Sequence, residues 1–432
     1  MPKITFIGAG STVFAKNVLG DCMLTPALCE SEIALYDIDA GRLKESETML
    51  NAINSNCNGG KAKIIAYDDP RKALSGANYV VNAIQVGGYD PCTITDFEIP
   101  KKYGLRQTIA DTLGIGGIFR TLRTLPVMLD YAKIIEEVCP DAWFLNYTNP
   151  MAMLTGGMLR YTNVKTVGLC HSVQVCASSI LELLKMPTDN VSYKIAGINH
   201  MAWLLEITRN GEDLYPEIRK RASELTEKHD NMVRVEMMKQ FGYYVTESSE
   251  HNAEYLPYFI KDKYPELIEK FNIPLDEYPR RCIKQIDDWK KRGAELVNNP
   301  KLEHERTHEY ASYIMEAMET NVPYKIGGNV LNNGLIENLP AEACVEVPCL
   351  VDATGINPCY IGRLPEQCAA LNRTNINVQL LTIEAVMTRK KENIYYAAML
   401  DPHTSAELSI DDIKHMCDDL IEAHGDWLPK FC

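Results

Sequence analysis

The stretch Lys3-Ile4-Thr5-Phe6-Ile7-Gly8-Ala9-Gly10-Ser11 constrains this chain more than any other. An apolar run that ends in two closely spaced glycines reads as a buried parallel strand feeding the N-terminus of a helix. Gly8 permits the tight turn, and Gly10 lets the main chain approach a pyrophosphate whose charge is met by the first N–H groups of the helix. The third glycine of this fingerprint is absent, since Val13 stands in its place, so the support comes from context. A second apolar run, Glu32-Ile33-Ala34-Leu35-Tyr36-Asp37, ends in a carboxylate that can accept hydrogen bonds from an adenosine ribose diol. Asp37 therefore points to NAD rather than NADP. Gly8, Gly10, Ser11 and Asp37, with Asn82 within a later strand, are the candidate dinucleotide ligands. The competing reading is an ordinary strand, turn and helix with a surface acid.

Strands and helices alternate through the first third of the chain. Helices are expected over Val13 to Leu24 and Gly41 to Asn54, with strands over 63–66 and 79–84. Such alternation predicts a Rossmann-like doubly wound parallel sheet, whose ligands bind beyond the carboxyl ends of the strands. A long insertion covers 94–117, and a helix from Ile118 to Val138 leads to the strand Trp143-Phe144-Leu145-Asn146-Tyr147-Thr148-Asn149-Pro150, which ends in polar groups above the sheet. Lactate and malate dehydrogenases carry a similar strand ending in Asn-Pro. A further strand, Thr166 to Cys170, completes a dinucleotide domain at residues 1–170. Residues 171–432 are expected to form an α+β domain for substrate, metal and self-association, packed intimately on the first. Within it, strands are expected over 193–200, 202–208 and 345–351, and long helices over 215–240, 302–319 and 374–400. Tyr310, Ile314, Ala317 and Met318 fall on one helical face and read as core.

Composition excludes several functions. With 44 basic against 58 acidic residues the formal charge is -14, and no basic patch offsets it, so nucleic acid and anionic membrane are not expected partners. No apolar run approaches the ~20 residues that cross a bilayer. The first strand begins almost at residue 1, which leaves no room for a secretory leader and points to the cytoplasm. The 14 cysteines contain no C-x-x-C pair, as expected for free, mostly buried thiols in a reducing compartment.

Cys170 ends a strand where the reactive ring of the cofactor should lie, with His171 directly after it. His200 also ends a strand. A thiolate and an imidazole brought together from two strand ends make a divalent-metal site with positions open to water or substrate. The alternative is one buried thiol and one hydrogen-bonded core histidine.

Five separated segments carry a resemblance: Ile4 to Phe14 (ITFIGAGSTVF), Asn146 to Pro150 (NYTNP), Cys170 to Val173 (CHSV), Gly197 to Trp203 (GINHMAW) and Asn332 to Val347 (NNGLIENLPAEACVEV). Together they resemble glycoside hydrolase family 4, over nearly the whole chain. Cys-His-Ser-Val is similar to its α-galactosidase branch, whereas the phosphoglycosidase branches carry Asp or Asn after the cysteine. The resemblance implies an NAD- and manganese-dependent hydrolase, one of the exceptions to the two-carboxylate rule for glycosidases. In that chemistry, transient oxidation at C3 of the sugar acidifies the C2 proton, the aglycone is eliminated, water adds and the hydride returns. By the same resemblance Cys170 and His200 are metal ligands, Asn149 contacts substrate and cofactor, and His171 protonates the departing oxygen or hydrogen-bonds the sugar. The base is expected to be Tyr244 or Tyr243. Asp111 is expected in the site, and His251 against the sugar or metal-bound water. Homodimers or homotetramers are implied. Alternatives are the same reaction on an α-galacturonide or α-glucoside, a plain dehydrogenase of the lactate and malate type, and a non-catalytic NAD-binding module.

Overall fold

The computed structural model describes residues 1–432, organised on a single 13-stranded mixed sheet. In chain order the strands are β1 (Lys3–Ile7), β2 (Glu32–Tyr36), β3 (Lys63–Tyr67), β4 (Tyr79–Asn82), β5 (Trp143–Asn146), β6 (Lys165–Leu169) and β7 (Val191–Ile198). They continue as β8 (Met201–Arg209), β9 (Glu212–Asp213), β10 (Tyr244–Val245), β11 (Tyr324–Leu331), β12 (Cys344–Asp352) and β13 (Gly355–Pro358). The first six pair in parallel in the spatial order β3-β2-β1-β4-β5-β6, the doubly wound arrangement the alternation predicts. Beyond β6 the sheet turns antiparallel through β11, β12, β7, β8 and β10. The hydrogen-bonded ladder is therefore continuous across residue 170, with β11 laid antiparallel on the last parallel strand.

Local chemistry sets the elements that frame the cleft. Gly8 has φ 86°, and a Cβ there would lie 2.6 Å from the Ala83 carbonyl oxygen, so only glycine fits between β1 and the end of β4. The helix Val13–Leu24 follows as expected. The next helix, Ala40–Asn58, begins where the Asp39 carboxylate accepts from the Gly41 and Arg42 N–H groups.

Several expected elements differ. The insertion contains a helix, Ile94–Lys102, and the helix expected from Ile118 starts at Gly114. The 215–240 segment divides into Tyr215–Glu224 and Met232–Phe241, and 374–400 divides at Arg389, whose φ of 59° reverses the chain between Glu366–Thr388 and Lys391–Leu400. Helix periodicity survives such a break, because the residues on either side keep facing one core. The expected helix over 302–319 begins only at Tyr310, with Tyr310, Ile314 and Ala317 buried. No helix is long and apolar enough to cross a membrane.

Candidate active site

Three strand ends meet above the sheet. Cys170 lies one residue beyond β6, and His200 sits in the two-residue turn between β7 and β8. Glu247 follows β10, which pairs antiparallel with β8 so that Val245 stands opposite Trp203. Two residues further along, this register carries Glu247 toward His200. Cys170 Sγ is 3.3 Å from His200 Nε2, which is 3.5 Å from Glu247 Oε2. All three atoms lie within 4.8 Å of one another, a sulfur, nitrogen and oxygen donor set suited to one divalent cation. His200 and Glu247 have φ of 63° and 65°, conformations a non-glycine residue holds at a cost and that cluster at functional sites.

The electrostatics agree with a cation position. Burial, with the Glu247 and Glu346 carboxylates, pushes the Cys170 thiol well above its ordinary range, so the sulfur keeps its proton unless a positive charge is placed against it. Against the upward push of burial, the His200 and His251 imidazoles and the Arg234 guanidinium hold the Glu247 carboxyl below its usual range. His251 Nδ1 is 2.8 Å from Ser248 Oγ, and its ring centroid stands 4.7 Å from that of His200.

A cavity of about 300 Å³ opens between this cluster and the glycine turn, lined by Ser11, Asp111, Arg120, Asn149, Cys170 and His171 among others. Asp111 is buried and faces Arg120 Nη1 at 3.9 Å and His251 Nε2 at 3.8 Å. His171 is half exposed, and its Nε2 contacts Glu309 Oε2 at 2.7 Å. That hydrogen bond, outweighing burial, raises the imidazole pKa.

On the dinucleotide side, Asp37 accepts from Gly10 N–H at 2.7 Å, and a Cβ at Gly10 would lie equally close to the carboxylate. The buried Ser11 hydroxyl has no protein partner, which fits a polar ligand at the helix N-terminus. Asn82 does not line the cavity. Its buried amide donates to Asn146 Oδ1 and Thr148 Oγ1, holding the ends of β4 and β5 together beneath it.

The structure does not bring Tyr244 or Tyr243 to the donor cluster. Alternation along β10 sends Tyr244 to the face opposite Val245, into a satellite core with Ala202, Leu204 and Cys176, where the Arg234 guanidinium covers its ring at 4.3 Å. Burial pushes its hydroxyl up to about 12. Tyr243 packs edge-on against Tyr215. Two other tyrosines border the cluster instead. Tyr255, buried, has its ring 6.4 Å from His200 and its hydroxyl 3.1 Å from Thr112 Oγ1. Tyr278 lines the cavity and accepts from Arg120 Nη1 at 3.2 Å.

The sequence matches the family 4 glycosyl hydrolases over residues 3–186 and their C-terminal domain over 195–404. It is 67% identical to the alpha-galactosidase of Bacillus subtilis, over 100% of both chains. The chain belongs to glycosyl hydrolase family 4. A 6-phospho-alpha-glucosidase from gut microorganisms, solved with NAD and Mn2+, superposes with a TM-score of 0.83 at 22% identity over 100% of each chain. Malate dehydrogenase from Plasmodium falciparum follows the same fold more distantly, at a TM-score of 0.55 and 15% identity, over 91% of this chain and 100% of its own. The family fold is thus a dehydrogenase-like parallel half extended by an antiparallel one.

Sequence reasoning missed Glu247, Glu309, Tyr255 and Tyr278. Glu247 lies between the expected Tyr243/Tyr244 and His251, four residues before that histidine, and this one-turn spacing was the available signal. Glu309 is 138 residues from His171, and nothing local marks it.

Proposed function

We propose that this cleft hydrolyses α-galactosides, with a dinucleotide along the carboxyl ends of β1, β4 and β5 and a divalent cation at Cys170, His200 and Glu247. The observation that carries the reading is the convergence of those three donor atoms beside a cavity that also reaches the glycine turn. The Bacillus subtilis relative named alpha-galactosidase and the neighbour solved with NAD and Mn2+ support it. When bound, NAD supplies a hydride acceptor for C3 of the sugar and the cation a Lewis acid for its C2 and C3 oxygens.

The protein's own groups do the rest. Asn149 and Asp111 orient hydroxyls of the galactosyl ring. His171, whose pKa the Glu309 hydrogen bond raises, gives a proton to the departing glycosidic oxygen. Tyr255 takes the C2 proton: burial, with Asp111 and Glu247, pushes its phenol well above the ordinary ~10, so it serves as a base only with a cation at the neighbouring candidate site, where positive charge favours the phenolate. Arg120 is engaged by Tyr278 and faces Asp111, so the cavity presents no uncommitted cation for a sugar carboxylate, which favours neutral galactosides over galacturonides.

The division of labour follows the sheet: residues 1–170 hold the dinucleotide, and 171–432 complete the substrate and metal site and support a homodimer or homotetramer. Fourteen unpaired cysteines, with Cys170 needed as a thiolate, favour a reducing cytoplasm. The test is hydrolysis of p-nitrophenyl α-galactoside with NAD, Mn2+ and reductant each omitted in turn, while absorbance of NADH is followed. Activity should disappear without NAD or Mn2+, with no net NADH formed. Full activity without NAD, or NADH growing with turnover, overturns the proposal.

A further inference from the structure

The antiparallel half of the sheet is not closed throughout. β12 and β7 are bridged at Glu346 and Gly197, and toward the start of β7 the two strands part. A cavity of about 530 Å³ fills the gap between Pro348 on β12 and the Val191–Ile195 stretch of β7, and it shares no lining residue with the catalytic cavity. β11, the first turn of the helix Ser172–Leu183, and His308 with Tyr310 complete its wall. The rings of Tyr193, Tyr310 and Tyr324 make that wall partly aromatic, and 8 of its 14 residues are hydrophobic, which suits an apolar ligand body.

Its charge sets it apart. None of the lining residues is acidic, in a chain whose formal charge is -14, and Lys325 and His308 supply the basic groups. The Lys325 ammonium is engaged only weakly, reaching the Tyr193 carbonyl at 3.4 Å and standing 5.6 Å from the centre of the Tyr193 ring. In the catalytic cavity, by contrast, Arg120 faces Asp111. We propose that the open seam is an effector site for a small organic anion, an acidic head group carried on a flat apolar body. The head group forms a charge-assisted hydrogen bond with Lys325, and the body lies along the tyrosine rings.

Position couples the site to catalysis. His171 immediately precedes the helix whose first turn forms one wall, and Glu309, which contacts His171 at 2.7 Å, lies between the lining residues His308 and Tyr310. The Gln174 amide joins the two segments by donating to the His308 carbonyl at 3.1 Å. An occupant therefore bears on both partners of the His171–Glu309 contact without entering the sugar cleft, and it favours whichever arrangement of the two segments it fits best. This effect on hydrolysis rests on the reading of the cleft as a galactosidase site, whereas the binding does not.

The probe is 1-anilinonaphthalene-8-sulfonate, an aromatic anion, added to the NAD- and Mn2+-loaded enzyme so that the cleft is filled; uncharged N-phenyl-1-naphthylamine is the control. Fluorescence titration should show a single saturable sulfonate site. Lys325→Gln removes the charge at an exposed position, and it should weaken the sulfonate about tenfold while leaving the affinity of the neutral probe unchanged. Ser192→Glu, at another exposed lining position, should weaken the sulfonate by repulsion. At twice the wild-type Kd the sulfonate should change galactose release from melibiose about twofold in the wild type and far less in Lys325→Gln. Absence of a saturable site, or a site that both variants bind as tightly as the wild type, overturns the proposal. So does binding that leaves galactose release unaltered. Conversion of the Ser192→Glu protein to a smaller oligomer in sedimentation velocity would make this face an interface between copies and would overturn it as well. If the wild-type enzyme releases no galactose, the galactosidase reading fails, and the titration alone decides whether the anion site stands.

Discussion

Single residues in the cleft owe their roles to which strand face or turn they occupy. Cys170 and His200 were legible because each stands where an apolar run ends in a chemically distinctive side chain. Glu247 was not, because its approach to His200 depends on the antiparallel pairing of β10 with β8 across about 40 intervening residues. Glu247→Gln keeps the shape and removes the charge. We expect it to weaken Mn2+ binding at least tenfold, an order set by losses seen even on removing partners of metal ligands. Electron paramagnetic resonance titration of free Mn2+ reads this directly, and unaltered affinity would remove Glu247 from the site. The two tyrosine positions separate as cleanly. Tyr255→Phe should abolish incorporation of solvent deuterium at C2 of the released galactose while NAD still binds. Tyr244→Phe should retain it, because that hydroxyl lies in the satellite core without a hydrogen-bond partner. Deuterium uptake that survives in Tyr255→Phe and vanishes in Tyr244→Phe would reverse the assignment.

Whole elements were readable where one periodicity ran uninterrupted, as in β1, β2, the helix Val13–Leu24 and the apolar face beginning at Tyr310. The helix Glu277–Val297 was not read, although Cys282, Ile286, Trp289 and Leu296 recur at helical spacing along its 21 residues and Trp289 and Leu296 pack against the core. Its first turn carries Tyr278 into the cleft. The short helix Ser249–Glu254 has a comparable positioning role. The buried Glu254 carboxylate accepts main-chain N–H groups of Thr108, Ile109 and Ala110 at 2.5, 3.2 and 3.0 Å, which fixes the segment leading to Asp111. Burial, opposed by those three N–H groups, pushes Glu254 up to about 7. An unfolded glutamate titrates near ~4.3. Between these values the folded state holds a proton the unfolded state has lost, so stability falls as pH rises through that window and levels off above it. The unfolding free energy of the wild-type chain should therefore decline from pH 5 to pH 7 more steeply than that of Glu254→Gln, as urea midpoints at several pH values would show. Parallel pH profiles would mean that Glu254 is ionised in the fold throughout.

At the scale of the whole molecule, the parallel and antiparallel halves share one ladder, and the cleft opens along their seam. The parallel half was legible because buried parallel strands are short apolar runs separated by helices. The order of the antiparallel half was not, since β11 and β12 come late in the chain yet insert between β6 and β7, and no local pattern encodes that. The seam has a thermodynamic consequence. Ser11, Gly10 and Asp37 belong to the parallel half, Cys170 to its last strand end, and His200 and Glu247 to the antiparallel half, so a cation at the proposed site would tie the two halves, whereas a dinucleotide at the proposed site would rest on one. Any ligand that binds only the folded chain stabilises it, by about 2.7 kcal/mol at a hundredfold excess over Kd. NAD and Mn2+ should each raise the thermal midpoint of the wild-type protein. Cys170→Ser loses the thiolate but leaves the glycine turn intact, so its NAD increment should persist while its Mn2+ increment shrinks to the level of a non-specific divalent ion such as Ca2+. Differential scanning calorimetry of both proteins with each ligand alone decides the matter. An Mn2+ increment undiminished in Cys170→Ser would place the cation elsewhere, and loss of the NAD increment would mean that the two ligands share more of the cleft than the three strand ends indicate.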